Sequence, residues 1–374
     1  MEDYSEYQSK EQLAKKYAKT RRILSLTSTV IFFAVVLILL FTGLSKNISA
    51  IAYEYSANDY IALLIFVAII GIGESIITFP IGFYSDYILE HKYGMSNQTI
   101  GGYFKEKLKG LVLGLALGIP LLLLFYYILS NTGDNWWLVF GCILFLFTVI
   151  IGQLAPVLIM PLFYKFRPIE NENIKSRLID LCKKTGVMVK GIFVFDMSKN
   201  TKKANAAFTG MGKTKRIILG DTLLNNFTED EIETVFAHEM GHYTRKHIIK
   251  LVAVSTILTF GGLYLTALLY KSSLSFFGFT QIYEIAALPL LFLYLSLYSL
   301  VTSPITNILS RKFEWEADTY ALEVTKNNTA YISALEKLAD QNLAEKEPNR
   351  FIEFLFHSHP SLSKRIDFAR NFRS

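Results

Sequence analysis

Val235-Phe236-Ala237-His238-Glu239-Met240-Gly241-His242 contains the pattern H-E-x-x-H. On a helix, residues four apart project from one face, so His238 and His242 offer two imidazoles one turn apart. Such a pair can share one tetrahedral metal, for which zinc is the usual ion. Glu239 stands beside them, near enough to take a proton from an attacking water, and is the candidate general base. Zinc lowers the pKa of water towards about 7, so a carboxylate base suffices at neutral pH. Upstream, Thr228 precedes Glu229, Asp230 and Glu231, an N-cap followed by first-turn acids. The helix is predicted to run from there through His242 towards the apolar stretch beginning at Leu251.

A catalytic zinc site of this kind needs a third protein ligand and one open position. Ser310-Arg311-Lys312-Phe313-Glu314-Trp315-Glu316-Ala317-Asp318 supplies candidates. Glu314 would complete a two-His, one-carboxylate set for one zinc per chain. Asp318 shares its helix face and could fix a ligand imidazole through its other nitrogen. Glu316 is the competing ligand, and spacing leaves both open.

Between and before these segments lie apolar runs. The chain is 52% hydrophobic, a fraction that soluble domains approach, so distribution decides rather than content. Six runs reach the roughly 20 residues that a spanning helix needs. They are Ile23–Leu44, Tyr60–Tyr84, Leu111–Leu129, Trp136–Phe163, Leu251–Tyr270 and Ile285–Leu309, the last interrupted at Ser303-Pro304. Trp136 and Trp137 open the fourth, where indoles favour the interface. The first run has spanning length and lacks a small-residue cleavage pattern, so a cleavable signal peptide is not expected.

Lys and Arg cluster before the first span, between the second and third, from Tyr164 to Lys250, and after the sixth. The intervening loops hold almost none. By the positive-inside rule both termini and the catalytic segments are cytosolic. The net charge of +6 thus reads as membrane orientation, and no nucleic-acid motif accompanies it. Cys142 and Cys182 are predicted to be free thiols in a reducing compartment.

The chain therefore divides into an N-terminal membrane domain (1–163), a first catalytic piece (164–250), a transmembrane hairpin (251–309) and a second catalytic piece (310–374). In the first piece Asn171–Thr185 has the pattern of a surface helix. Val189–Asp196, Asn205–Thr209 and Arg216–Asp221 read as strands, the last two flanking a turn at Gly210–Thr214. The second piece reads as wholly helical. The hairpin can bring Glu314 to His238 and His242.

These residues resemble the type I CAAX prenyl proteases, integral-membrane zinc metallopeptidases. The resemblance covers nearly the whole chain from about Tyr60 onward. It rests on Glu90-His91-Lys92-Tyr93-Gly94 with Gln98-Thr99, on Ala155-Pro156 with Pro161-Leu162-Phe163, and on Asn205-Ala206 with Gly210. Arg216-Ile217-Ile218, Asp221-Thr222-Leu223-Leu224, His238–His242, Arg311–Asp318 and His359-Pro360 with Arg365 complete it. It implies a mostly helical polytopic protein whose helices enclose an intramembrane chamber, with a gluzincin-type catalytic domain split around the hairpin. It places the family's ligand carboxylate on Glu314, and its substrate-pairing edge strand on Asn205-Ala206. His359 and Arg365 would line the catalytic cleft, in contact with the reacting oxygen or with substrate. Glu74, an acid inside the second span, would line the chamber or pair between helices. The substrates implied are peptides or proteins near the membrane, lipidated ones among them, with membrane lipid around the spans.

The chain departs from eukaryotic members in a short Asn225–Thr234 segment, one fewer N-terminal span, and Ser361 where a second proline is usual. The short build suggests a bacterial member in the cell membrane rather than the endoplasmic reticulum. Quality-control proteases of the HtpX type share the zinc motifs and offer an alternative task. A transporter or metal sensor is a remoter alternative, since no paired halves appear and Glu239 would have no use there.

Overall fold

The computed structural model describes residues 2–187, 189–209 and 216–373. The turn predicted at Gly210–Thr214 lies outside them. The chain opens with α1 (Glu2–Phe41), α2 (Leu44–Tyr55), α3 (Asp59–Phe83), α4 (Leu89–Lys92), α5 (Ile100–Asn131), α6 (Trp136–Leu154) and α7 (Met160–Phe163). Next come β1 (Phe166–Pro168), α8 (Glu172–Lys184), β2 (Ile192–Phe195), β3 (Ala206–Thr209), β4 (Arg216–Gly220), α9 (Asp221–Asn226) and α10 (Glu229–Thr244). It ends with α11 (His247–Ser273), α12 (Leu288–Thr325), α13 (Asn328–Gln341), α14 (Arg350–Phe356) and α15 (Leu362–Asn371).

Six helical stretches are long and apolar enough to cross a membrane: Lys10–Phe41, Asp59–Lys92, Ile100–Asn131, Gly133–Phe163, His247–Ser273 and Ile285–Thr325. Each overlaps one predicted span. Their surfaces carry exposed side chains such as Val30, Ile76, Leu108, Ile257 and Val301, which lipid solvates and water would not. The interruption predicted at Ser303-Pro304 does not occur, and α12 is one helix with Pro304 inside it. A proline forfeits one backbone bond, and nearby hydroxyls help a membrane helix tolerate it. Here Thr302 donates to the Tyr298 carbonyl and Thr306 to that of Ser303.

The spanning helices form a ring. Helix α1 packs on α3 and α12, α12 on α11, α11 on α6, and α6 on α5. Helix α5 returns to α3 through Tyr60–Tyr126 at one end (5.7 Å between centroids) and Phe83–Phe104 at the other (6.1 Å). The ring encloses an intramembrane chamber. One mouth is filled by a packed cluster that includes Phe66, Phe125, Leu129, Trp136, Tyr270 and Leu290. Trp136, predicted at the interface, is buried in that plug against Phe125.

The catalytic domain covers the other mouth. Lys203 pairs with Glu90 at 2.9 Å, Arg22 with Glu345 at 2.8 Å, and Asn307 donates to the Leu355 carbonyl at 2.8 Å. The sheet has the order β1-β2-β4-β3. Strand β2 is antiparallel to β1 and parallel to β4, and β3 is antiparallel to β4 with Ala206 opposite Leu219. Strand β1 has three residues, too few to show an alternation in the sequence. The sheet's buried Ile217 and Leu219 pack with Leu178, Phe236 and Tyr331. Both cysteines are free, Cys142 on an exposed surface and Cys182 in the core.

Candidate metal centre

Helix α10 begins with a reciprocal cap. The Glu231 N–H donates to Thr228 Oγ1 (3.3 Å) while the Thr228 N–H donates to Glu231 Oε2 (2.7 Å). Lys337 and Ser333 of α13 also bind the Glu231 carboxylate, at 2.7 and 2.6 Å. The helix then crosses α12 at Gly241, where a Cβ would lie 2.9 Å from the Ala317 Cα. Only glycine allows that approach, and the approach brings Glu314 to the two histidines. Helix α12 has 38 residues, a length of about 57 Å at 1.5 Å per residue, against a hydrocarbon core of about 30 Å. Its last turns therefore leave the membrane and carry Glu314 and Asp318 into the catalytic domain.

The candidate ligand atoms of His238, His242 and Glu314 all lie within 4.8 Å of one another. His242 Nε2 is 3.1 Å from His238 Nε2 and 3.2 Å from Glu314 Oε1, and His238 Nε2 is 3.4 Å from Glu314 Oε2. Glu316 turns away, to His247 at 3.0 Å and Lys250 at 3.5 Å. Glu314 Oε2 is buried and accepts no well-directed hydrogen bond, although His359 Nδ1 lies 2.8 Å from it. Two imidazole nitrogens and a buried carboxylate oxygen facing one another are a donor set that fits a divalent cation, and this composition suits zinc.

Behind the donors stands a fully buried network. Asp318 Oδ1 lies 2.8 Å from His238 Nδ1, and Arg365 grips the same carboxylate from Nε (2.8 Å) and Nη2 (2.7 Å). Tyr331 donates to Asp318 Oδ1 at 2.5 Å and accepts from Arg365 Nη2 at 3.1 Å. Burial opposes the charged form of His238, but the Asp318 and Glu314 carboxylates facing its two ring nitrogens outweigh it and raise the metal-free imidazole to about 9. Arg365 Nη1 lies 3.6 Å from Glu314 Oε2, while the His359 side chain is largely exposed. Glu239 is partly buried, and among the described residues its carboxylate makes no hydrogen bond. Burial raises its pKa, with the neighbouring His238 and His242 pulling the other way.

Asn205 leads into β3, the edge of the sheet, and its carbonyl accepts from the Gly220 N–H at 2.9 Å. The strand packs on α10, with Phe208 stacked on Tyr243 at 4.7 Å beside His242. Glu74 sits inside α3, half-buried, and its carboxylate has no hydrogen bond or ion pair among the described residues. Sequence reasoning missed Tyr331 and His247. Nothing local marks Tyr331. His247 was visible only as a third histidine past the motif, because its position depends on where α10 ends.

The model of peptidase family M48 matches residues 168–373, and the model described as the CAAX prenyl protease N-terminal region with five membrane helices matches residues 4–165. Four span-length helices and the short α2 occupy the latter range. An uncharacterized metalloprotease of Bacillus subtilis, YhfN, is 28% identical across 96% of this chain and 84% of its own. A CAAX prenyl protease 1 homolog of Dictyostelium discoideum is 33% identical across 79% of this chain and 70% of its own. The crystal structure of S. mikatae Ste24p superposes with a TM-score of 0.87 at 27% identity, covering 97% of this chain and 89% of that one. The two catalytic helices meeting at Gly241, the ring of spans and these likenesses agree, and the chain belongs to the M48 peptidases as a multi-pass membrane metalloprotease of the CAAX prenyl protease type.

Proposed function

We propose that His238, His242 and Glu314 hold one zinc ion and that the protein cleaves peptide bonds of substrates presented at the membrane surface. Prenylated CAAX peptides are the proposed substrate class. The observation that carries this is the convergence of the three donors beside an unbonded Glu239 carboxylate. Zinc bound there would supply a Lewis acid that polarises the scissile carbonyl and acidifies water. Strand β3, entered at Asn205-Ala206, has no second strand beside it among the described residues, and an edge of this kind can receive an extended peptide before any side chain is read. Glu239 takes the proton of the attacking water and returns it to the departing amine, a role for which a pKa raised by burial suits it. His359, exposed beside Glu314, donates to the oxygen on which charge develops. Arg365, anchored on Asp318, keeps Nη1 beside Glu314 at the cleft. Asp318 orients His238.

The alternation of basic flanks supports a cytosolic catalytic domain and cytosolic termini. The Bacillus subtilis relative supports a bacterial cell membrane. The same zinc chemistry would also serve a second task, cleavage of damaged membrane proteins without regard to lipid. Purified protein in detergent, given a farnesylated CAAX peptide and its unprenylated twin, separates the two. Lipid-dependent cleavage that Glu239→Gln abolishes is the expected result. Equal cleavage of both peptides would move the assignment to the general protease, and turnover retained by Glu239→Gln would remove Glu239 as the base.

A further inference from the structure

Helix α10 ends at Thr244, and the next helix starts three residues later at His247. In one continuous helix the fifth residue beyond His242 would point about 140° away from it. Instead Lys246 takes a left-handed conformation, φ 57°, which a side chain with a Cβ adopts only at a steric cost. The turn swings His247 back beneath His242. There it is buried, 1% exposed, with its ring stacked flat on Phe313 at 4.3 Å. Its Nδ1 lies 3.0 Å from His242 Nδ1 and its Nε2 lies 3.0 Å from Glu316 Oε2. Lys250 stands 3.5 Å from the same carboxylate oxygen.

The atoms permit one consistent set of hydrogens. His242 turns Nε2 towards Glu314 and His238, so as a neutral ligand it carries its hydrogen on Nδ1. That N–H can donate only if His247 Nδ1 is bare. His247 then carries its hydrogen on Nε2 and donates it to Glu316. We infer that His247 and Glu316 are positioning residues for the metal centre, a one-way hydrogen-bonded chain that fixes the tautomer and ring angle of His242. The inference rests on the zinc site proposed above. It gives His242 a support of the kind that Asp318 gives His238, delivered from the start of one spanning helix and the end of another. It also accounts for Glu316, a carboxylate close to the site in sequence that turns away from the metal donors.

The test is zinc affinity, measured on the full-length protein in detergent by competition with a chromophoric chelator. His247→Leu leaves the His242 N–H without an acceptor and is expected to weaken zinc binding roughly 10- to 100-fold. Glu316→Ala, at a partly exposed position, is expected to weaken it less, with the melting temperature in EDTA unchanged. The double variant should bind zinc no worse than His247→Leu, because the chain is already cut at its first link. His247→Asn, whose Oδ1 can accept from His242, should recover part of the loss. Wild-type affinity in both single variants, or losses that simply multiply in the double variant, would overturn the inference while leaving the zinc site standing. If His247→Leu fails to fold, wild-type affinity in Glu316→Ala is sufficient to overturn it. Wild-type protein that takes up no zinc would overturn the metal site and this inference together.

Discussion

Replacing Gly241 with alanine tests whether the crossing of α10 and α12 sets the metal geometry. The added Cβ would stand 2.9 Å from the Ala317 Cα, 3.1 Å from its carbonyl oxygen and 3.2 Å from the Tyr320 Cβ. Carbon atoms rest about 3.5–4.0 Å apart, so the overlap is roughly 0.6–1 Å, and two of the three atoms are backbone that cannot rotate away. Overpacking of this kind costs about 1–3 kcal/mol. Exchanging glycine for alanine within a helix returns about 1 kcal/mol. The difference leaves a folded protein, destabilised by about 1 kcal/mol. The metal centre is less forgiving. Glu314 lies one turn before Ala317 on α12, and ligand distances tolerate only about 0.2 Å. Helices pushed apart by half the overlap already exceed that tolerance. Gly241→Ala should therefore melt close to wild type in EDTA, bind zinc at least about tenfold more weakly, and lose most peptide cleavage. Zinc affinity within twofold of wild type, with turnover intact, would refute the reasoning.

Zinc affinity should also depend on pH through His238. Its folded, metal-free pKa is raised from an ordinary 6.5 to about 9, so its proton stabilises the metal-free fold at low pH. That contribution fades as pH rises towards 9, and melting in EDTA should fall accordingly. The same proton must leave when zinc binds, so apparent affinity should rise about tenfold per pH unit and level off near 9. Affinity that stays flat between pH 7 and 9 would show that Asp318 and Glu314 do not hold His238 protonated. At the other end of α10, Thr228→Ala removes the acceptor for the Glu231 N–H and should cost about 1 kcal/mol of stability. The check is a lowered melting temperature at unchanged zinc stoichiometry.

What the sequence determines by itself is what depends on neighbours along the chain. H-E-x-x-H places His238 and His242 on one helix face, Thr228 with Glu231 marks where that helix starts, and hydropathy marks six spans. Each signal is complete within about twenty residues. Breaks within helices were harder to see. Proline at 304 suggested an interruption that hydroxyls and packing remove, and nothing announced the left-handed Lys246 that separates α10 from α11. The choice between Glu314 and Glu316 was open on spacing because both lie on the same helix. Only the crossing at Gly241 and Ala317 decides which face of α12 meets α10, and it puts Glu314 among the donors and Glu316 against His247. Tyr331 and Arg365 reach Asp318 from 13 and 47 residues away, a meeting that no local pattern encodes. Long-range contacts of this kind are set by how buried faces pack, and that is why the supports of the proposed metal site belong to the tertiary structure while its first two proposed ligands belong to the sequence.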